Sequence, residues 1–337
     1  MSNFIIRQQG PSPVVADNLW EIRLGAGALL LGVLAGGLGG VLFGIHLGRR
    51  GELGVSDQTP KDWPAKPVNI AHRGGRGIVP ENTLVGFREG LRVGTDVVEL
   101  EVHLTADGHL VVIHDDTVDR TTDGSGLVRE MTLREVKSLD AGYRFTRDNG
   151  KTYPRRGQGV AVPTLEEVYE ELPNVPINVE IKGDQPDIEQ ALWQVIEVAK
   201  AADRTLVVSA KTSIIRRFRE VSGGRVATGS SITEIVVFGL LSRLRLSRLW
   251  RPSFQALQVP EGYGKILHLV TPSFVRAAHQ LGVRVDVWTI NTEPDMRRVL
   301  GHGVDGIMTD RPDILAQLLK RESLNTSEPS PVSSHHI

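Results

Sequence analysis

The sequence predicts an α/β protein built around a parallel sheet, either open or closed into a (β/α)8 barrel. Short runs rich in β-branched residues alternate along the chain with segments that have helical spacing. That alternation fills roughly 255 residues, the usual size of one such barrel. Hydrophobic residues make up 40% of the chain and charged residues 23%, a composition that can bury a core. We therefore expect one large globular domain.

Nine short runs are candidate strands, one more than a barrel of eight needs. The gap between the second and third runs is too short for a helix, and the sequence does not show which run lies outside the barrel. The candidate strands are 68–71, 97–100, 110–113, 177–181, 206–208, 225–228, 256–259, 283–290 and 306–308. The candidate helices are 82–92, 187–200, 213–220, 271–280 and 294–300.

Residues 24–48 predict a transmembrane helix near the N-terminus. The segment has 25 residues without Asp, Glu, Lys or Arg. As a helix it would span ~37 Å, enough to cross a hydrocarbon core of ~30 Å. A cleaved signal peptide is the alternative, but its apolar part is ordinarily about 7–15 residues and ends at small residues. Because Arg7 and Arg23 precede the span and Arg49 and Arg50 follow it, the positive-inside rule does not choose its orientation.

Four glycines in this span, at a spacing of four residues, predict a face that a second helix could approach closely. They are Gly32, Gly36, Gly40 and Gly44. A homodimer through the membrane is one interpretation of this spacing, and the ordinary abundance of glycine in membrane helices is the other.

The remaining segments are assigned by composition. Residues 1–23 form an N-terminal tail, and residues 49–66, with Pro60 and Pro64, are typical of a linker. The polar residues 321–337 are typical of a disordered tail. The main domain is therefore expected at 67–320.

Two features of the composition exclude whole classes of function. Thirty-nine basic and 40 acidic residues give a net charge of −1, which argues against a nucleic-acid partner, because polyanion binding needs a basic field. The chain contains no Cys, which excludes disulfides, zinc–thiolate sites, iron–sulfur clusters and thiol nucleophiles. Oxygen-ligated metals and histidine chemistry remain.

Polar side chains gather at the carboxyl ends of the first four candidate strands, where parallel α/β folds place their sites. Two are imidazoles, three are carboxylates and two are cations. They are His72, Arg73, Glu99, Glu101, His114, Glu180 and Lys182.

Glu99 and Glu101 are two residues apart on one candidate strand, so both side chains should point to the same face. Two carboxylates inside a barrel would cost several kcal/mol unless something neutralises them. A divalent cation with oxygen ligands, Mg²⁺ or Ca²⁺, would do so, with Glu180 as a third ligand. An ion-pair lattice with Arg73 and Lys182 is the alternative.

The two histidines and two cations indicate chemistry on a phosphate ester. His72 and His114 could donate and accept protons near neutral pH. The guanidinium of Arg73 and the ammonium of Lys182 suit an anionic substrate. A cation, basic side chains and an acid/base pair together favour cleavage of a phosphoryl ester.

Three further positions are interpreted mainly as structural. Asn82 reads as a helix N-cap, and Asp310 is expected to tie down the last loop. Trp288, at the end of a candidate strand, could wall a substrate pocket or pack in the core.

Eight blocks of sequence, in order, resemble the glycerophosphodiester phosphodiesterase family over roughly residues 67 to 320. They are His-Arg-Gly-Gly at 72–75, Pro-Glu-Asn-Thr at 80–83, Glu-Leu-Glu-Val-His-Leu-Thr-Ala-Asp-Gly at 99–108, Val-Val-Ile-His-Asp at 111–115, Arg-Thr-Thr-Asp-Gly-Ser-Gly at 120–126, Asn-Val-Glu-Ile-Lys at 178–182, Val-Trp-Thr-Ile-Asn at 287–291 and Gly-Val-Asp-Gly-Ile-Met-Thr-Asp-Arg-Pro at 303–312.

The resemblance implies a TIM barrel of the phospholipase C-like phosphodiesterase type, with an insertion at about 115–165. It implies a divalent-cation-dependent enzyme that releases glycerol 3-phosphate and an alcohol from glycerophosphodiesters. The site roles that it implies fall into three groups. These are general acid/base catalysis for His72 and His114, metal ligation for Glu99, Glu101 and Glu180, and phosphate binding for Arg73 and Lys182. Glu101 stands where the family usually has Asp, which leaves the choice between Mg²⁺ and Ca²⁺ open.

Residues 235–251 are both apolar and basic, with four Arg and no acid. This composition suits contact with an anionic membrane surface, and an ordinary barrel helix whose arginines reach solvent is the alternative. With the predicted anchor, it adds membrane lipid as a partner and lysophospholipids as substrates beside soluble glycerophosphodiesters.

Two other functions compete with a metal-dependent phosphodiesterase. One is a metal-independent enzyme like the phosphatidylinositol-specific phospholipases C, which would use the two histidines alone. The other is a catalytically silent, membrane-anchored barrel that binds head groups.

Overall fold

The computed structural model describes Trp63, residues 67–263 and residues 267–327. The predicted span at 24–48, its glycine series and the last ten residues lie outside the described residues. Within the part of the chain that is described, no helix is both long enough and apolar enough to cross a bilayer.

Eight parallel strands form one sheet that curves into a nearly closed barrel. In sheet order they are β6 (Ala227–Thr228), β5 (Thr205–Val208), β4 (Ile177–Ile181), β2 (Val97–Leu104), β1 (Val68–Ala71), β11 (Gly306–Thr309), β10 (Arg284–Trp288) and β7 (Ala256–Pro260). A parallel bridge between Gly229 and Ala256 joins the two ends of this order. The barrel expected from the sequence is confirmed, and the open sheet is excluded.

The ninth candidate strand is β3 (Leu110–Val112), which pairs antiparallel with β2 instead of entering the barrel. Its register sets Val102 opposite Val112 and Leu104 opposite Leu110. Five residues connect the two strands, enough for a hairpin but not for the crossover that a parallel neighbour needs. A short hairpin of β8 (Gly262–Tyr263) and β9 (Leu267–His268) was not predicted.

The five predicted helices are present, with their ends shifted by one or two residues. In chain order the helices of the described residues are α1 (Leu84–Arg92), α2 (Leu133–Lys137), α3 (Leu165–Glu171), α4 (Ile188–Val198), α5 (Thr212–Val221), α6 (Ile232–Arg243), α7 (Pro272–His279), α8 (Glu293–Leu300) and α9 (Pro312–Ser327). Helix α9 continues to Ser327, into the segment whose composition suggested a disordered tail.

Three helices outside the five candidates begin with the same local signal, and one of them, α6, covers part of the segment 235–251 for which an ordinary barrel helix was the alternative. Thr132, Thr164 and Ser231 each cap a helix, and a Glu three residues later accepts a hydrogen bond from the backbone N–H of the cap residue. This capping box satisfies two otherwise free N–H groups and starts α2, α3 and α6.

The amino end of the barrel interior is lined mainly by apolar side chains, beside the buried ion pair of Arg284 and Asp286. Trp63 packs there with residues near the starts of several strands, and the guanidinium of Arg284 lies 4.3 Å from the centre of its ring. The other members of this cluster are Val68, Ile70, Val97, Leu206, Ala227, Ala256 and Met308. The chain therefore enters the barrel at the amino ends of the strands.

Candidate active site

The two glutamates of β2 face the barrel interior together, as predicted from their spacing. Glu99 and Glu101 are 2% and 1% exposed. In the parallel pairing of β2 with β4, Glu101 lies directly beside Glu180. The strand pleat and the register thus bring the three predicted ligands to one region of the barrel interior.

The turn after β1 carries Arg73 into contact with both glutamates. Residues His72–Gly74 form a 3₁₀ turn in which Arg73 has a left-handed φ of 52°. The Arg73 backbone N–H donates to Glu99 at 2.7 Å, and Nε donates to Glu101 at 3.1 Å. Gly74 is required because it has a φ of 83° and an added Cβ would come within 2.7 Å of Phe87.

Each candidate catalytic histidine is held by an aspartate through Nδ1. His72 Nδ1 lies 2.7 Å from Asp310 Oδ1, and His114 Nδ1 lies 2.5 Å from Asp115 Oδ1. A carboxylate at Nδ1 favours the proton on that nitrogen and leaves Nε2 directed into the site. The Nε2 of His114 is buried, has no hydrogen-bond partner in the described residues and lies 3.8 Å from Glu101 Oε1.

Asp310 makes contacts in the site in addition to the expected contact with the last loop. It accepts a hydrogen bond from Asn291 at 2.9 Å, which does tie the last loop to the barrel. It also bonds to His72, and Arg76 donates to it at 3.1 Å. Its contact with His72 was not predictable from local sequence, because the two residues are 238 positions apart and only barrel closure brings β1 beside β11.

The expected N-cap role of Asn82 was wrong. Thr83 caps helix α1 by accepting a hydrogen bond from the Gly86 backbone N–H. Asn82 instead donates from Nδ2 to Glu101 Oε2 at 2.9 Å and is 3% exposed. It is therefore a residue of the site.

A second group of side chains, which sequence reasoning did not assign, links Arg73 to His114. Glu81 accepts hydrogen bonds from Arg73 at 3.0 Å and from Arg120 at 2.7 and 2.8 Å. Arg120 also donates to Asp115 at 2.6 Å, and Asp115 holds His114. Glu81, Arg120 and Asp115 lie inside the sequence blocks that resemble the family. Their place in these blocks was the only indication in the sequence that they belong to the site.

Burial and crowding separate the pKa values of the two central glutamates. Burial, followed by the charge of Glu101, raises the pKa of Glu99 well above its usual value. Burial also acts to raise the pKa of Glu101, but Arg73, His114 and Lys182 together lower it below its usual value. Two adjacent carboxylates with such different pKa values indicate that negative charge at this place is under-compensated.

The same crowded neighbours shift the pKa values of Lys182 and His72. Burial opposes the charge on Lys182, but Glu180 and Glu101 raise its pKa above the usual value. Burial and the neighbouring Arg73 lower the pKa of His72, which favours its neutral form.

The donor set and the charge balance both fit a divalent cation. His72, Glu99 and Glu101 each offer one ligand atom, and these atoms lie within 4.8 Å of one another. With every carboxyl group of the network ionised, six carboxylates face four cations, an excess of two negative charges, and the raised pKa of Glu99 is the response to that excess. The carboxylates are Glu81, Glu99, Glu101, Glu180, Asp115 and Asp310, and the cations are Arg73, Arg76, Arg120 and Lys182.

The ion-pair lattice considered as an alternative to a metal is present, but it does not neutralise the site. Arg73 pairs with Glu101, and Lys182 Nζ lies 3.1 Å from Glu180 and 3.9 Å from Glu101. Glu180 is not in the group of ligand atoms defined above and is engaged by Lys182.

Trp288 packs in the barrel core, one of the two roles considered for it, and its role as a pocket wall stays a prediction. It ends β10 and packs against the apolar cluster of the barrel interior. It is only partly buried, so part of the ring is open at the carboxyl end of the barrel.

The fold and site define a barrel hydrolase in which buried carboxylates, cations and aspartate-held histidines converge at one end. The model of the glycerophosphoryl diester phosphodiesterase family matches residues 72–314. A glycerophosphodiester phosphodiesterase from Caldanaerobacter subterraneus subsp. tengcongensis is 35% identical over 263 residues, which cover 76% of this chain and 99% of that protein.

Two further relatives are described by an activity or by a bound product. A lysophospholipase D from Rattus norvegicus is 26% identical, over 76% of this chain and 87% of that protein. A phosphodiesterase from Oleispira antarctica, solved in complex with its product sn-glycerol 3-phosphate, superposes with a TM-score of 0.57. It is 27% identical and covers 76% of this chain and 97% of its own.

This chain belongs to the glycerophosphoryl diester phosphodiesterase family. It is therefore an enzyme, a phosphoric diester hydrolase acting on glycerophosphodiesters.

Proposed function

We propose that the chain hydrolyses glycerophosphodiesters to glycerol 3-phosphate and an alcohol with the help of a divalent cation. The observation that carries this proposal is the pairing of two aspartate-held histidines with the crowded carboxylates of β2. The product in the Oleispira antarctica structure is the one that this reaction would release.

His72 and His114 are the proton-transfer groups of the proposal. Asp310 and Asp115 occupy their Nδ1 atoms, so each imidazole exchanges a proton through Nε2, and His72 is for that reason not among the proposed metal ligands. Burial beside Arg73 favours neutral His72, which suits it to accept a proton. His114, whose Nε2 lies 3.8 Å from Glu101 Oε1, is then the proposed acid that protonates the departing alcohol.

Glu99, Glu101 and Glu180 are the proposed metal ligands. When bound, a divalent cation supplies charge stabilisation to the phosphoryl oxygens. All-oxygen ligation suits Mg²⁺ and Ca²⁺ alike. Because Lys182 engages Glu180 in the structure, ligation by Glu180 requires Lys182 to pair with another anion, and the substrate phosphate is one.

Arg73 and Lys182 are the proposed phosphate-binding cations. The backbone of Arg73 and its Nε are committed to Glu99 and Glu101, so its position is fixed before substrate arrives. Lys182 is one-quarter exposed and carries the more mobile charge.

The test is turnover of the purified chain on glycerophosphocholine, glycerophosphoethanolamine and glycerophosphoinositol. We expect EDTA to abolish turnover and Mg²⁺ or Ca²⁺ to restore it. Turnover that survives EDTA would favour the metal-independent alternative. A chain that binds these head groups without turning any over would be the catalytically silent barrel.

Lysophospholipids are a second substrate class, supported by the Rattus norvegicus relative named as a lysophospholipase D. Lysophosphatidylcholine in the same panel tests this class. Release of lysophosphatidic acid and choline would support it, and release of choline from glycerophosphocholine alone would exclude it.

We also propose that residues 24–48 anchor the chain in a membrane as a single span, and that the glycine series pairs two such spans. The support is the length and composition of the segment. Resistance to carbonate extraction tests the anchor, and protease accessibility on intact cells gives the side that the barrel faces. Cross-linking of wild type against a Gly36→Leu, Gly40→Leu variant tests the dimer.

A further inference from the structure

A basic apolar surface lies on α6, from Val236 onward, and on the turn that follows it. Five of the seven large apolar side chains that are most exposed in the described residues are here, with between 37% and 74% of their surface accessible. They are Val236, Leu240, Leu244, Leu246 and Leu249. Exposed apolar residues concentrated in one segment indicate a contact surface rather than ordinary scatter.

The charges on this surface have one sign and are largely unpaired. Arg243, Arg245, Arg248 and Arg251 are exposed, and the sequence has no Asp or Glu between Glu234 and Glu261. Arg248 donates to Gln280 at 3.1 Å, while the other three make no ion pair among the described residues. Elsewhere the exposed arginines commonly pair with acids, as do Arg88, Arg92, Arg297 and Arg298. A surface that joins exposed leucines with unpaired arginines is complementary to an anionic lipid bilayer.

The barrel topology places this surface at the end opposite the active site. Helix α6 leaves the carboxyl end of β6 and returns toward the amino end of β7, so its last turns lie near the amino ends of the strands. The contact of Arg248 with Gln280 agrees, because Gln280 follows α7 on the way to the amino end of β10. The candidate catalytic groups lie at the carboxyl ends.

The chain enters the barrel at this same end. Trp63 packs beside Val68 and Val97 at the starts of β1 and β2. Only 14 residues separate Trp63 from Gly48, the end of the proposed membrane span. Fully extended, they reach at most ~50 Å.

We propose that the barrel docks on a bilayer containing anionic lipids through the basic apolar surface, with its active site facing the water. In this orientation the enzyme takes substrates from solution, so soluble glycerophosphodiesters are favoured over lysophospholipids that remain in the same bilayer. The docking rests on neither the metal nor the acid/base assignments, and its test does not use activity as the readout.

The absence of Cys makes the test specific, because one introduced Cys is the only site for a thiol-reactive fluorophore. The full chain carrying Leu249→Cys is labelled and reconstituted in phosphatidylcholine vesicles, with or without phosphatidylserine, that contain a spin-labelled quencher lipid. The matched control is Lys151→Cys, an exposed position between β3 and α3, in a segment whose Arg147 donates a hydrogen bond to the Ile78 carbonyl in the loop at the carboxyl end of β1.

We expect quenching at position 249 in the vesicles with phosphatidylserine, a large loss of it in neutral vesicles, and none at position 151 in either. Replacing Arg243, Arg245 and Arg251 by Gln should remove the quenching at 249. Replacing the exposed Arg129, Arg134 and Arg216 by Gln removes the same charge elsewhere and should leave the quenching intact.

Three outcomes would overturn the proposal. Quenching at 151 instead of 249 would show that the end of the barrel with the active site faces the lipid. Quenching at 249 that is the same with and without phosphatidylserine, and the same in the arginine variant, would show that charge does not contribute to docking. A label at 249 that is unquenched but shielded from an aqueous quencher would assign the surface to a protein, such as a second copy.

Discussion

The two ends of the barrel interior are built from the same strands but from opposite chemistry. Along the inward face of β1 and the turn after it, Val68 and Ile70 give way to His72, and along β2, Val97 gives way to Glu99 and Glu101. This change takes four residues, a rise of ~13 Å. The amino end packs apolar side chains around Trp63, and the carboxyl end gathers six carboxylates and four cations.

The difference shows that one set of strands can contribute stability at one end of the barrel and reactive groups at the other. Apolar burial at the amino end stabilises the fold, whereas buried like charges at the carboxyl end destabilise it unless a ligand compensates them. Substitutions at the two ends should therefore have opposite signatures in activity and in thermal unfolding.

The largest effect on activity is expected from the histidines. His72→Ala or His114→Ala should lower kcat by ~10²-fold or more, because each removes a proton-transfer group. The melting temperature should change little, since neither ring belongs to an apolar cluster of the core. Steady-state kinetics and calorimetry measure both quantities, and His109→Ala, a surface histidine outside the site, is the control. Wild-type turnover in either variant would remove that histidine from catalysis.

The converse change at the amino end is Leu206→Ala. Leu206 is fully buried in the cluster around Trp63, and truncating such a side chain costs about 2–5 kcal/mol. We expect a lower melting temperature, by roughly 2 °C or more per kcal/mol in a domain of this size, with kcat near wild type well below the transition. A loss of kcat larger than tenfold without a lower melting temperature would contradict the division between the two ends.

Much of this division could be predicted from the sequence, because it depends on local periodicity. The two-residue spacing of Glu99 and Glu101 gave their common face, and strand–helix alternation gave the barrel. The sequence showed one candidate strand more than the barrel needs, but it did not show that β3 was the extra one. Only the antiparallel pairing of β3 distinguishes it from a barrel strand. Asn82 was assigned to the wrong role because Asn and the adjacent Thr83 are both good caps, and the contact with Glu101 comes from another element.

The contacts that hold the histidines could not be predicted in the same way. His72 meets Asp310 only because β1 and β11 are neighbours on closure, although they lie at opposite ends of the domain sequence. The chain of Arg73, Glu81, Arg120 and Asp115 depends on side-chain directions that no pattern of spacing encodes.

Asp310→Asn tests whether this long-range contact positions His72. We expect kcat to fall by about 10- to 100-fold with a smaller change in KM, because the amide no longer fixes the Nδ1–H tautomer. In a His72→Ala background the same substitution should have almost no further effect on kcat, since the two groups act as a unit. A purely structural Asp310 would instead give additive losses, accompanied by a lower melting temperature.

The smallest expected effect is the most direct test of under-compensated charge at the carboxyl end. Glu99→Gln removes one of two buried carboxylates, keeps the shape of the side chain and leaves Arg73 a carbonyl oxygen to bond. Without divalent cation the variant should unfold at a higher temperature than wild type, by about 1 kcal/mol of stability, because the cost of burying the Glu99 carboxylate and its repulsion by Glu101 are both gone. Divalent cation should raise the melting temperature of wild type more than that of the variant, since binding to the native state stabilises it. Glu166→Gln, an exposed acid on α3, is the matched control and should change neither value. If Glu99→Gln lowers the melting temperature in EDTA, the ion pairs with Arg73 already balance the site, and the contrast between the two ends of the barrel loses its electrostatic basis.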